Sequence, residues 1–486
     1  MREGAMAATI AAWAFAEPDR LAISDGRERL SWGGLATELL RVAGLVAATT
    51  PPGSAVAVRL STTPLAMAAL LGVQAAGRVV LLIPATEPPA RSLAFLRQAR
   101  PALLLVDPAT ALEDPPCPQM DATTPAPPLA KAMKLAPDAP SLVLTTSGST
   151  GVPKGIVWSA EIARVRCARH MVHLGIQPQD RMMTLTHLAT SGGLTHASAA
   201  LLAGASVLLT DPGATGAGPV QALAAAERPT LLAGITRLVV GVLRGRGAAF
   251  ASLRAVRMFG TATLAADIAV LRAALPPGCR ITNNYGMTEV QVADHDAPDP
   301  MPADQVAMAA GRVVAGQIAE IVGPDGALLP DGEAGELVMR SPYVALGEWQ
   351  DGRVVPARMA PDPAGRRLAT GDLVRRDANG VLWVLGRVDR QAKIAGQRVE
   401  PAEVEAVLRA EPGLQEIVVW PVAAPAGMVL HAAFVPDPGE DPAALGKRLA
   451  ARAAASLPGP LRPVAWKPRE SLPRLPGGKI DLLSLQ

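Results

Sequence analysis

Short apolar runs alternate with longer stretches of helical periodicity through the first 140 residues. The runs Ser54-Ala55-Val56-Ala57-Val58, Arg78-Val79-Val80-Leu81-Leu82-Ile83-Pro84 and Ala102-Leu103-Leu104-Leu105-Val106-Asp107 are apolar almost throughout, not at alternate positions. A strand covered on both faces reads this way, and helix-length segments between such strands predict parallel strands joined by crossover helices. Prolines crowd the segment 107–140, including Pro115-Pro116 and Pro127-Pro128, which predicts an irregular surface excursion. A second α/β block is predicted beyond it, with strands at Met182-Met183-Thr184-Leu185-Thr186, Ser206-Val207-Leu208-Leu209-Thr210 and Ala255-Val256-Arg257-Met258-Phe259-Gly260, separated by helices rich in alanine and leucine.

The pattern then changes to short β segments with dense turn signals. Strands are predicted within 317–326, 335–340 and 377–386, where Asp325-Gly326 and Asn379-Gly380 mark hairpins. The last hundred or so residues have the size of a small domain. They contain a helix with Pro401 near its start and Val404, Val407 and Leu408 on its buried stripe, then the strand Glu416-Ile417-Val418-Val419-Trp420. The fold class expected is α/β: a large N-terminal domain over 1–388, made of two α/β subdomains and a β-rich subdomain, followed by a small α+β lid over 389–486. No internal repeat is present.

Composition excludes several functions. The 46 basic and 43 acidic residues leave a formal charge of only +3, so no nucleic-acid partner is expected. Aromatic residues make up 3% of the chain, which leaves few stacking platforms for single strands. The three cysteines, Cys117, Cys167 and Cys279, are far apart and have no metal spacing, in keeping with a reducing, cytoplasmic setting. Arg2, the apolar segment 6–15 and Ala14-Phe15-Ala16 imitate a signal peptide. Glu3 lies where such a peptide is positive, however, and Ile10, Trp13 and Ala14 fall on one helical face, so we read a surface helix. The uncharged segment 182–210 is broken by His187, Ser191-Gly192-Gly193 and His196, so it is read as core strand, loop and core helix, and no membrane span is expected.

One loop carries the candidate chemistry. The apolar run Ser141-Leu142-Val143-Leu144 leads into Thr145-Thr146-Ser147-Gly148-Ser149-Thr150-Gly151-Val152-Pro153-Lys154-Gly155. Glycines allow successive N–H groups to face one anion, the hydroxyls add donors and Lys154 adds charge. A Walker A loop has Gly, four intervening residues, then Gly-Lys-Ser/Thr, whereas here Gly148, Gly151 and Lys154 fall three apart and Gly155 follows the lysine. Taken alone, the loop is a phosphate holder or a surface turn.

This loop resembles that of the adenylate-forming enzymes, the superfamily of acyl-CoA synthetases, peptide-synthetase adenylation domains and firefly-type luciferases. Four further stretches resemble the superfamily's motifs, in its order. Asn283-Asn284-Tyr285-Gly286-Met287-Thr288-Glu289 is similar to N-x-Y-G-x-T-E, and Thr370-Gly371-Asp372 to TGD. The stretch 386–405 matches G-R-x-D-x-Q-x-K-x-x-G-x-R-V-E-P-x-E-I/V-E nearly residue for residue. Leu472-Pro473 through Gly478-Lys479-Ile480-Asp481 resembles L-P-x-x-x-x-G-K-I/V-D.

The resemblance implies an enzyme that joins a carboxylic acid to AMP with release of pyrophosphate, using ATP and Mg²⁺, and then passes the acyl group to a thiol. It implies catalytic roles for Lys479, Thr288 and Glu289, with Glu289 also the metal ligand. ATP would be bound by Thr145, Thr146, Ser147, Gly148, Ser149, Thr150, Gly151, Lys154, Asn283, Asn284, Tyr285, Gly286, Asp372 and Arg387. Asp389 would be the hinge of a mobile lid, and Gly396 would border the thiol tunnel. Coenzyme A is the leading acceptor, and the phosphopantetheine of a carrier protein is the alternative. A non-catalytic nucleotide-binding relative is the remote one. The sequence does not specify an oligomeric state.

The acyl pocket is expected around His187, Ser191, Gly192, Gly260 and Thr261. Ser191 falls where amino-acid-activating members carry an aspartate, which favours an acid without an α-amine. Gly260-Thr261-Ala262-Thr263-Leu264 departs from the usual G-G-A-P-L and adds hydroxyls, favouring a polar or small acid. His187 reads equally as a pocket residue or a hydrogen-bonded core histidine.

Overall fold

The computed structural model describes residues 5–133, 135–146, 153–245, 247–302, 305, 307–388, 392–394, 397–399, 401–424, 427–457, 459–474 and 480–485. Two large sheets dominate it. The apolar runs near the start form the parallel centre of an eight-stranded sheet, in the order Gln119–Asp121, Leu103–Val106, Ala55–Arg59, Val79–Leu82, Pro140–Thr146, followed by antiparallel Lys154–Ser159, Gly347–Gln350 and Arg353–Val355. A nine-stranded sheet has the parallel core Leu21–Ser24, Ser206–Leu209, Arg181–Thr184, Leu231–Ile235, Ala255–Phe259 and Arg280–Gly286.

The chain does not fill these sheets block by block. Leu21–Ser24 leaves the first α/β segment to pair with Ser206–Leu209, and Gly347–Gln350 returns from the β-rich region to pair with Lys154–Ser159. Apolar runs identify strands, but pairing partners are chosen by nonlocal burial, which local pattern does not encode. One apolar core joins the two sheets. It includes Trp32, Leu35 and Leu39 of helix Trp32–Thr49, Met67 and Leu71 of helix Pro64–Ala75, Leu142 and Trp158 of one sheet, and Met182 and Val207 of the other.

The predicted excursion over 107–140 is irregular apart from Gln119–Asp121. It lies tight against helix Trp32–Thr49: a Cβ on Gly44 would come within 1.9 Å of the Pro127 carbonyl, so only glycine fits there. Arg41 of the same helix donates to the carbonyls of Ala122 and Thr124.

The β-rich region forms a five-stranded antiparallel sheet of Ile318–Val322, Ala334–Ser341, Gly365–Arg376, Ala360–Asp362 and Leu382–Arg387. The predicted Asn379-Gly380 turn links Gly365–Arg376 to Leu382–Arg387, with Gly380 at φ 74°. Beyond it, helices Pro401–Leu408 and Pro442–Ser456 pack with the sheet of Leu414–Ala424, Gly427–Pro436 and Ala465–Pro468. Val404 and Leu408 are fully buried, as the helical stripe predicts. Among the described residues, the apolar clusters of 399–485 share no member with those of 10–382. No described helix is long and apolar enough to cross a membrane. The N-terminal helix Ala5–Ala16 buries Ile10 and leaves Phe15 exposed.

Candidate active site

Strands Pro140–Thr146 and Lys154–Ser159 are antiparallel neighbours, with Thr146 opposite Lys154. The candidate phosphate loop is therefore the tip of a β-hairpin. Thr145 donates to the Leu82 carbonyl at 3.2 Å, while Thr146 and Lys154 are half-buried at the hairpin's end. Ser147, Gly148, Ser149, Thr150 and Gly151 lie outside the described residues. The Lys154 ammonium donates to Glu348 Oε1 at 3.1 Å, and Glu348 is buried on the adjacent strand.

The Asn283-to-Glu289 motif is not an isolated turn. Asn283, Asn284, Tyr285 and Gly286 end strand Arg280–Gly286 of the nine-stranded sheet, and Met287 and Val290 close a hairpin whose tip is Thr288-Glu289. The tip is held from beneath: Trp158 Nε1 donates to the Thr288 carbonyl at 2.8 Å, and Arg166 donates to the Met287 and Thr288 carbonyls. The Arg166 guanidinium lies 4.1 Å from the Trp158 ring centroid, a cation–π contact. Burial pulls its pKa down to about 9, so it stays charged at neutral pH and offsets the charge of Glu289 above it. Glu289 Oε1 accepts from Arg358 at 2.7 Å.

Thr370-Gly371-Asp372 lies mid-strand in Gly365–Arg376, opposite Arg387. Arg387 donates to the Thr370 carbonyl and to Asp372 Oδ1, at 3.0 and 3.1 Å. The Tyr285 hydroxyl donates to Asp372 Oδ2 at 2.5 Å. Burial and the adjacent carboxylate push the Tyr285 phenol well above its ordinary range, so it remains a donor. Gly371 has φ 76°, and a Cβ there would come within 2.9 Å of the Arg387 guanidinium. Residues of three motifs thus meet in one cluster: Tyr285, Asp372 87 residues later, and Arg387 15 residues beyond that. Asn284 donates to Asp294 Oδ1 at 2.8 Å, and Asn283 to the Ala309 carbonyl at 3.4 Å.

His187 is buried, and both ring nitrogens lie near backbone N–H groups, Ala85 at 3.2 Å and Ala189 at 3.0 Å. Burial lowers its pKa to about 4, so the ring is neutral and can accept from one of these two N–H groups. Ser191 and Gly192 open helix Ser191–Leu202, which is capped by Thr190 accepting from Gly193 N. A Cβ on Gly192 would strike the Phe259 ring at 2.2 Å. Gly260, at φ 82°, and Thr261 follow Phe259, and the Thr261 carbonyl accepts from Thr236 at 3.4 Å.

Sequence reasoning missed a stack behind this region. His170, His196 and Phe259 follow one another with centroid separations of 4.2 and 5.0 Å. Buried Arg257 links His170 to Asp294, and so to Asn284. Glu348 and Arg358, which pair with Lys154 and Glu289, and Arg166, which holds the Met287 and Thr288 carbonyls, were missed as well. Isolated charged residues in strands, turns and helices give no local signal of this kind.

Asp389, Gly396 and Lys479 lie outside the described residues. An antiparallel bridge between Arg474 and Ile480 flanks the segment that contains Lys479. Arg474 is paired with Glu416, which also accepts from Arg237 of helix Thr236–Leu243 at 3.1 Å. As to metal binding, no group of three or more His, Cys, Asp or Glu side chains is arranged for a metal among the described residues. A single buried carboxylate suits Mg²⁺, which is commonly held by one or two carboxylates together with substrate phosphates. Glu289 fits that role.

A family model for AMP-binding enzymes matches residues 10–349. The chain is 33% identical over 409 residues to pyochelin synthetase PchE of Pseudomonas aeruginosa, covering 82% of this chain and 28% of that protein. It is 33% identical over 466 residues to the isonitrile lipopeptide synthase of Streptomyces coeruleorubidus, covering 88% of this chain and 30% of that one. The chain thus spans less than a third of the length of these two relatives. A structure of the anthranilate CoA ligase AuaEII in complex with anthranoyl-AMP superposes with a TM-score of 0.86 at 22% identity, over 99% of this chain and 96% of that one, so the two share a fold.

Proposed function

This chain belongs to the AMP-binding enzymes of the adenylate-forming superfamily, and from that premise we propose that it activates a carboxylic acid as acyl-AMP, releasing pyrophosphate, and then transfers the acyl group to a phosphopantetheine thiol. The observation that carries this reading is the cluster of Tyr285, Asp372 and Arg387. It supplies a carboxylate for the ribose hydroxyls, a cation that fixes that carboxylate and an aromatic ring for the adenine.

In this reading a carboxylate must approach an α-phosphate, so the site has to supply positive charge and donors. The hydroxyls and N–H groups of 145–151 and the Lys154 ammonium hold the triphosphate and the leaving pyrophosphate. Thr288 donates to the α-phosphate. Glu289 would hold Mg²⁺, which when bound offsets phosphate charge. Lys479 bridges the attacking carboxylate and the α-phosphate. The acid is already ionised, so no general base is required, and catalysis is positioning plus charge stabilisation.

The thiol sulfur then attacks the acyl carbon and AMP leaves. Residues 389–486 would turn about Asp389 between the two half-reactions, with Gly396 beside the thiol channel. One of the sequence relatives is named as a lipopeptide synthase, which supports a carrier-protein thiol as acceptor. Coenzyme A, the acceptor first expected, presents the same phosphopantetheine arm. Ser191 at the start of helix Ser191–Leu202 brings no carboxylate to that position, which supports an acid without an α-amine.

The test is pyrophosphate release from ATP and Mg²⁺ with a panel of aliphatic, aryl and amino acids, with coenzyme A or a holo carrier protein added and products identified by mass. An acyl-adenylate that becomes an acyl thioester is expected. Tight ATP binding without turnover on any acid would instead favour the non-catalytic reading.

A further inference from the structure

The two groups assigned to the triphosphate and its metal both have partners on one short segment. Glu348, on strand Gly347–Gln350, accepts from Lys154 at 3.1 Å, and its other oxygen accepts from Gln350 at 3.3 Å. Arg358 lies ten residues further on and donates to Glu289 at 2.7 Å. The backbone just before Glu348 is anchored beside the same two groups. Ala345 N donates to the Glu289 carbonyl and Leu346 N to the Val157 carbonyl, each at 2.8 Å. Arg358 is presented by a turn closed from Met359 N to the Pro356 carbonyl at 2.8 Å, with Ala357 in the left-handed region at φ 49°. A non-glycine residue in that region is sterically strained, so tertiary contacts must hold the turn. Met359, buried to 1% exposure directly after Arg358, supplies one.

Glu289 and Glu348 are both buried carboxylates, and each is satisfied by one basic side chain that is itself partly exposed. Such a pair is strengthened by the low local dielectric, yet its exposed member is free to change partner at little conformational cost. A phosphate at Lys154 would compete with Glu348, and a divalent cation at Glu289 would compete with Arg358.

We propose that segment 345–358 is a charge clasp on the nucleotide site, in which Glu348 and Arg358 compete with phosphate and metal for Lys154 and Glu289 and so set the affinity for Mg·ATP. This rests on the assignment of Lys154 and Glu289 to the triphosphate and Mg²⁺. Both clasp residues are positioning residues, because they act through Lys154 and Glu289. Their charges cancel, so the clasp changes local competition for the site without altering the net charge around it.

The test uses the full chain and the α,β-methylene analogue of ATP, with binding followed by calorimetry and bound Mn²⁺ by electron paramagnetic resonance. Glu348→Gln is expected to tighten analogue binding by roughly three- to tenfold, as expected for removal of one charge-assisted competitor. Arg358→Gln is expected to lower the half-saturating Mn²⁺ concentration by a similar factor, and Arg358→Lys to restore the wild-type value. Unchanged Mn²⁺ affinity in Arg358→Gln would reduce the pair to a structural contact and overturn the clasp. Weaker Mn²⁺ binding would make Arg358 a direct phosphate ligand, with the same consequence. Failure of the wild-type chain to bind the analogue would overturn the nucleotide-site reading itself.

Discussion

The Tyr285 hydroxyl donates to the Asp372 carboxylate at 2.5 Å, across 87 residues of sequence, and the other oxygen of that carboxylate accepts from Arg387. The carboxylate is thereby fixed on both sides before any ribose reaches it. Asp372→Asn keeps the shape and loses the charge, so it should weaken ATP binding by roughly ten- to a hundredfold, corresponding to about 1.5–3 kcal/mol for hydrogen bonds to a charged group. Tyr285→Phe should cost far less, because the ribose replaces the phenol as donor. Calorimetry of ATP binding checks both, and equal losses would show that Tyr285 holds nucleotide directly through its hydroxyl.

Gly371 should tolerate no side chain. Its φ of 76° and the 2.9 Å approach of the Arg387 guanidinium mean that Gly371→Ala strains the backbone and displaces Arg387. The expected outcome is a stability loss of about 1–2 kcal/mol together with a raised KM for ATP. Urea unfolding and steady-state kinetics read the two effects separately.

Three buried histidines make stability depend on pH. Burial lowers His187 to about 4 and His196 to about 3, and pushes His170 well below its ordinary 6.5, with His196 and Arg257 adding repulsion. Their folded pKa values lie below the unfolded one, so the unfolded chain takes up protons first as pH falls. The stability they contribute is complete above pH 6.5 and is lost progressively as pH drops through 6.5 toward 4, at up to about 1.4 kcal/mol per pH unit for each group. Urea midpoints at pH 7, 6 and 5 should fall in that order. Midpoints that do not change would mean that the imidazoles protonate freely in the folded chain.

Lys479 and Asp389 should separate the two half-reactions. Lys479→Ala is expected to slow pyrophosphate release by about 10²–10³, as for loss of one charge-stabilising donor. Asp389→Pro should hinder thioester formation more than adenylation, because it restricts the rotation between them. Single-turnover assays of each step decide the matter. An unchanged rate of pyrophosphate release in Lys479→Ala would remove that lysine from the reaction.

What the sequence determined by itself was local. Unbroken apolar runs marked strands buried on both faces, the Asn379-Gly380 pair marked a hairpin, and five ordered motifs identified the superfamily. Tertiary structure decided everything that depends on partners distant in the chain. It sent Leu21–Ser24 to the sheet formed by later residues, since a two-sided apolar strand carries no label for its neighbour. It made the Asn283-to-Glu289 motif a strand end with a hairpin tip, supported by Trp158 and Arg166 from the other sheet and its helix. It also placed Glu348 on Lys154 and Arg358 on Glu289, 194 and 69 residues away. A charged residue in a strand or turn looks the same in sequence whether it faces water or a buried counter-charge. Only the fold brings the counter-charge within hydrogen-bond distance, and there the low dielectric makes the pairing count.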